Sequence, residues 1–271
     1  MNDKTRREFL KSCFRIGGYA GIACLGMGAV EDARGWGILP AMVSQGACIS
    51  GNNSNCVLLI HSNTADGSTT FVDSSQGGSN HTADITVVSS AHHDTDQAYF
   101  GTTSIDLTNA TQDLLTVADS ADWDFGTGDF SVEMWTYWKT VASYGLIGRY
   151  TTAANTWGLR YVHPNDWYWY YGDGVTYTFT LSWTPTAETW YHFVIARGSG
   201  SLRFFVDGVQ KGSTEADAVN YDTAQAIGIG NYYSGADATC FNGYIDEVAI
   251  FKGSANGRTA DFTVPAYAYC N

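Results

Sequence analysis

The sequence predicts an all-β chain folded as two antiparallel sheets packed face to face, and three observations predict it. Short runs rich in Val, Ile, Thr, Tyr, Phe and Trp alternate apolar with polar positions and are separated by clusters of Gly, Asn, Asp and Ser. Long helical periodicity is absent after the N-terminus. With 30 Gly, only 4 Pro and 44% hydrophobic residues in 271 positions, the chain holds enough apolar material for one large core.

Charge narrows the partners. Lys and Arg number 14 against 27 Asp and Glu, and Lys4, Arg6, Arg7, Lys11, Arg15 and Arg34 all lie near the N-terminus. The remainder is strongly acidic, repels phosphate backbones, and suits neutral ligands or divalent cations better than nucleic acid.

Residues 1–33 read as an export signal, with bases ahead of the apolar run 16–30 and small residues at its end. Discounting its glycines, that run is too short for a bilayer span, so no transmembrane segment is expected in the mature chain. Thr5-Arg6-Arg7-Glu8-Phe9-Leu10-Lys11 resembles the twin-arginine consensus, which implies a periplasmic, cell-surface or extracellular destination. Cys24 is open to two readings, a lipidation site or a small residue of the signal core. Residues 34–55 form a linker and 56–271 the domain.

Four cysteines remain beyond the signal: Cys48, Cys56, Cys240 and Cys270. An even number in an exported chain implies two disulfides, with Cys48–Cys56 and Cys240–Cys270 the favoured pairs. No CxxC or Cys/His spacing supports zinc.

The strands follow in order. Val57–Ile60 is short and apolar, and Asn63 to Ser68 is a turn rich in oxygen ligands. Phe71–Asp73 reads as a strand entering a turn; Ile85–Val88, Ser104–Leu107 and Leu114–Val117 continue the alternation, with His92-His93 taken as a surface loop pair. Ala121 to Asp129 is acidic but, counted from Asp119 or Asp122, lacks the glycine at the sixth position of a calcium-binding EF-hand loop, and reads as a turn. Phe130–Trp138 is a long strand; Tyr144–Arg149 and Trp157–Val162 come next. Trp167, Trp169 and Tyr171 share one face of the run Trp167–Tyr171, which makes either an exposed platform for stacking sugar rings or a face packed in the core. Trp190–Ala196 precedes a hairpin, Leu202–Gln210, turning at Asp207-Gly208; Ala226–Gly230 follows.

The stretch Cys240 to Gly253 is apolar on both faces, as for a strand covered on both sides. Asp246 and Glu247 interrupt it. Two adjacent carboxylates among buried neighbours need cations or hydrogen bonds, so Asp246 marks either a cation site or a β-bulge.

The segments Trp123 to Trp135, Trp190-Tyr191-His192-Phe193, Leu202 to Gly208 and Gly243 to Val248, in this order, resemble the laminin G-like domains of the concanavalin A-like lectin/glucanase superfamily. The resemblance covers about residues 56–262. It implies a jelly-roll sandwich with Val57–Ile60 beside Gly243–Phe251. It also implies a structural calcium, for which Asn63, Asp66 and Asp246 are the ligands; Asn63 stands where relatives commonly carry Asp. The fold hosts lectins, adhesion modules and glycosidases alike, so it does not by itself give the activity. A retaining glycosidase needs two carboxylates about 5 Å apart, marked by acids at alternate strand positions. No strand carries that mark. The expected function is therefore a non-catalytic module for a glycan or a cell-surface protein, with a structural subunit of a surface assembly as the alternative.

Overall fold

Fifteen strands make up the structure, a computed structural model that describes residues 49, 51–152, 154–172, 175–180 and 183–270. The export segment, Cys48 and most of the 34–55 linker lie outside the described residues. In chain order the strands are β1 (Cys56–Ile60), β2 (Ile85–Val88), β3 (His92–Asp94), β4 (Ser104–Leu107), β5 (Leu114–Val117), β6 (Phe130–Trp138), β7 (Tyr144–Gly148), β8 (Ala154–Val162), β9 (Asp166–Gly172), β10 (Val175–Thr180), β11 (Trp190–Gly198), β12 (Ser201–Val206), β13 (Val209–Ala216), β14 (Ile227–Ile229) and β15 (Gly243–Lys252).

They form two antiparallel sheets. The eight-stranded sheet runs β13-β12-β11-β6-β15-β4-β3, with β1 also on β15; the seven-stranded sheet runs β10-β9-β8-β7-β14-β5-β2. The first strand thus lies beside the last, with Ile60 opposite Val248. This is the two-layer sandwich expected from alternating strands that each bury one face.

The inner faces meet in one aromatic core. Trp123, Trp138, Trp157, Trp167 and Trp169 are fully buried there, together with Phe130, Phe193 and Tyr221. A second, smaller apolar layer lies outside the eight-stranded sheet. Cys56, Leu59, Ala249, Phe251 and Tyr269 pack there, as do Val194, Ala196, Phe205 and Ala255 with Phe262 against them. The C-terminal segment supplies this cover, which explains why β15 is apolar on both faces and buried over Gly243–Phe251.

A buried ionic cluster pins that segment. Glu133, fully buried on β6, accepts from Arg258 Nε at 3.1 Å and Nη2 at 3.0 Å, from Asn256 at 3.0 Å and from the Tyr269 hydroxyl at 3.1 Å. The Arg258 guanidinium holds its carboxyl below the usual range against the opposing effect of burial.

Three expectations from sequence are corrected. Phe71–Asp73 is not a strand; Asp73 instead accepts from the Leu59, Ser75 and His81 amides and organises the loop. His92 and His93 are not in a surface loop but in β3, with His93 buried, bonded to Ser62 and the Thr70 carbonyl, and stacked on Phe71. The favoured disulfides do not form. Cys56 and Cys240 are free, each buried among core side chains. Cys270 is disulfide-bonded.

Candidate functional site

Strand β9 decides where a ligand could stack. Trp167 and Trp169 are both 0% exposed, so the expected platform faces the core. Trp167 contacts Trp138, Tyr161, Phe193 and Phe204; Trp169 stacks on Trp157 at 5.5 Å and donates to the Tyr221 hydroxyl at 2.9 Å. Tyr171 is half-buried against the same core. The reason is area: burying an indole contributes about 4–6 kcal/mol. That exceeds the roughly 1–3 kcal/mol cost of leaving a donor unpaired, as Trp167 Nε1 is.

The strand period of two then turns Tyr168 and Tyr170 outward. Tyr150, Tyr170 and Tyr232 converge on this outer face, half-buried, with centroids 4.6 Å (Tyr150 to Tyr170), 5.1 Å (Tyr170 to Tyr232) and 5.4 Å (Tyr150 to Tyr232) apart. Tyr168 lies 6.1 Å beyond Tyr170. Arg160 of β8 reaches into the group. Its guanidinium sits 5.1 Å from the Tyr232 ring centroid, and Nη1 donates to the Tyr170 hydroxyl at 3.4 Å.

Tyr232 comes from the loop between β14 and β15, which lies against the sheet because the sheet is bare beneath it. Gly148, Gly158 and Gly228 form the floor, and a Cβ on any of them would overlap the Tyr232 or Tyr233 carbonyl. Asn231 and Asp237 hold the loop's shape: Asn231 Nδ2 donates to the Gly235 carbonyl at 2.9 Å, and Asp237 accepts from the Thr239 amide at 2.7 Å. Sequence reasoning missed these residues. Alternation on β9 and the Gly-rich approach to Asn231-Tyr232-Tyr233 were the available signals.

The proposed calcium ligands have other work. Asp66 accepts from the Thr95 amide at 3.2 Å, Asp246 Oδ2 from the Tyr99 and Phe100 amides at 3.0 and 2.9 Å, and Asn63 from the Thr102 amide at 3.3 Å. All three fasten one loop, residues 95–102. Asp246 Oδ1 takes the Glu247 amide at 2.9 Å, so neither oxygen of this fully buried carboxyl is free of a backbone donor. In this arrangement the three side chains act as acceptors for the loop, and by themselves they supply fewer than the six to eight oxygens that a calcium ion takes. Burial, then Glu247, pushes the Asp246 carboxyl well above the usual range, and the three amides oppose this. The bulge reading holds: pairing with β6 shifts between Asp246 and Ala249, and Glu247 has φ of 50°. Glu247 is met by His61 Nδ1 at 2.5 Å.

The fastened loop lays Tyr99 on Trp135, centroids 3.5 Å apart, beside a cleft of about 330 Å³ lined by Asp96, Gln97, Tyr137, Lys139, Glu188 and Tyr244. Close by, His92, Asp94 and Asp106 bring ligand atoms within 4.8 Å of one another. A cation already sits there, for Lys139 Nζ pairs with Asp106 and lies over the Tyr244 ring. Asp106 is thus already paired with Lys139, and His92 Nε2 approaches Asp94 at 3.5 Å.

Residues 109–258, over half of the chain, match the family profile of the concanavalin A-like lectin/glucanases superfamily, and the chain belongs to that superfamily. No curated protein matches the sequence. Among solved structures, it resembles domain 4 of AbnA, a GH43 extracellular arabinanase from Geobacillus stearothermophilus in complex with arabinotriose. That match has TM-score 0.55 and 16% identity, and covers 74% of this chain and 94% of that one. It also resembles the binding domain of Paraclostridial Mosquitocidal Protein 1, with TM-score 0.57 and 14% identity, over 73% of this chain and 49% of that one. The binding domain of botulinum neurotoxin serotype D gives TM-score 0.52 and 16% identity, over 77% and 51%. The chain thus spans about half the length of the two toxin domains, and at these identities the likeness is one of fold. No helix among the described residues is long and apolar enough to cross a membrane.

Proposed function

We propose that this domain is a non-catalytic module, exported by its N-terminal signal, that binds a glycan on the outer face of the seven-stranded sheet. One observation carries the reading: Tyr150, Tyr168, Tyr170 and Tyr232 gather half-buried around Arg160 on a face whose glycine floor seats the Tyr232 loop. Aromatic rings offer the apolar faces of a sugar a flat surface, and the hydroxyls and guanidinium supply directional donors at its rim. The superfamily, and the arabinotriose complex of the AbnA domain, support this class of ligand.

The buried carboxylates point away from catalysis. Glu133, Asp217 and Glu247 are tied to Arg258, Arg197 and His61, and Asp246 to backbone amides. None of these four is a free acid or base.

A glycan array with the mature chain and with the Tyr170→Ala/Tyr232→Ala double variant tests the reading. Binding by the wild type to a defined set of glycans, lost by at least about tenfold in the variant while its melting curve stays cooperative, is the expected result. Binding that survives the double variant would move the site elsewhere on the domain.

A further inference from the structure

Three of the five described arginines find acids. Arg149, fully buried, pairs with Asp119 at 2.5 Å and Asp124 at 2.8 Å; Arg197, fully buried, pairs with Asp217 at 3.3 Å and donates to three carbonyls; Arg258 pairs with Glu133 at 3.0 Å. Such pairing is expected when 27 acids surround 14 bases. Arg160 and Arg203 depart from it; Arg203 Nη1 donates to the Ser201 carbonyl at 3.2 Å, whereas Arg160 stands among aromatic rings. No carboxylate among the described residues lies within ion-pair distance of it, its buried Nε has no hydrogen-bond partner, and its contact to Tyr170 at 3.4 Å is long. Asp237, on the Tyr232 loop, does not reach it, being turned to Asn231, Thr239 and Tyr233.

A guanidinium held beside aromatic rings with no anion paired to it is costly unless water or a ligand completes it. Its planar fork matches a carboxylate with two parallel N–H···O bonds, a geometry that a neutral hydroxyl cannot copy. Tyr232 lies under the fork and Tyr150 and Tyr170 stand beside it, half-buried, so aromatic rings adjoin the charge.

Resting on the glycan reading above, we infer that the ligand is an acidic saccharide, a sugar ring stacked on the tyrosines with its carboxylate paired to Arg160. The local positive charge selects an anion that the acidic remainder of the chain would repel, so the preference is confined to this pocket.

The test uses the mature chain and, by calorimetric titration, a panel of uronate-containing and sialylated oligosaccharides, their methyl esters, and a sulfated oligosaccharide. Wild type should bind at least one free acid about tenfold or more tightly than its ester, and the difference should shrink as salt is raised. Arg160→Gln should erase that preference, the free acid losing more affinity than the ester; Tyr170→Ala/Tyr232→Ala should weaken both. Equal affinity for acid and ester would overturn the acidic assignment and leave the glycan reading standing. Binding to no member of the panel while neutral glycans bind on the array would do the same, and absence of all glycan binding would remove both. A preference for the sulfated sugar over every carboxylated one would overturn the carboxylate. Should Arg160→Gln fail to fold, the acid and ester comparison in wild type still decides.

Discussion

His192 should make this domain acid-sensitive in a window of its own. The residue lies in β11, 2% exposed, with its ring beside Trp135 and Phe262 and its Nε2 3.7 Å from Glu133. Burial, with Arg258 adding to it and Glu133 opposing it, lowers the imidazole from the usual 6.5 to about 4. The folded form therefore prefers the neutral ring. As pH falls below 6.5 the unfolded chain takes up a proton that the folded chain refuses, and stability drops until the folded ring also protonates near 4. At about 1.4 kcal/mol per unit, this one group removes about 3 kcal/mol between pH 7 and 4. Glu133 shares the sign but not the window: its lowered carboxyl keeps its stabilisation above its ordinary 4.5 and loses it only below. His93, also lowered by burial, acts in the same direction, so the quantity to measure is a difference between proteins. Urea unfolding of wild type and His192→Phe at pH 7.5, 6.5, 5.5 and 4.5 provides it. The variant should lie within about 2 kcal/mol of wild type at pH 7.5, since ring replaces ring. Its curve should fall less steeply toward pH 4.5 by about 2–3 kcal/mol. Parallel curves would refute a buried neutral His192.

Asp246→Ala should destabilise the domain by about 2–5 kcal/mol, because it strips three amides of their acceptor. The loss should be the same in calcium and in EDTA; a calcium-dependent rise in melting temperature that the variant abolishes would restore the ion. Cys56, its thiol pushed up to about 12 by burial and then by Asp73 and Glu133, and Cys240, raised by burial, should resist iodoacetamide at pH 8 in the native protein and react after unfolding. Peptide mapping reads this directly, and a cross-linked peptide containing either cysteine would contradict the free thiols.

Most of the fold was legible because strand alternation is a local property. Ile85–Val88, Ser104–Leu107, Leu114–Val117 and Phe130–Trp138 have the bounds their sequence gives them. His92–Asp94 hid because three polar residues carry no apolar alternation; only pairing with β4 makes them a strand. The site was half legible. Its strand and its stacking chemistry could be read at 167–171, but alternation does not say which face turns inward. That is settled across the sandwich, where Phe130, Trp138, Phe193 and Phe204 receive the indoles. Tyr150, Arg160 and Tyr232 meet only through tertiary packing. The disulfides failed for a similar reason, since an even count says nothing of which cysteines the core has enclosed.

The margins of the two sheets bear on how copies of this protein can meet. An open strand edge invites another chain to add to it. Here β3 has three residues and β2 four, too short to template a neighbour. At the opposite margin, β13 carries Lys211 and Glu215, and its pairing to β12 slips between Leu202 and Phe204, where Gly212 has φ of 70°. A bent, charged border of this kind is a poor template, so copies crowded together at a surface should stay separate along these three borders.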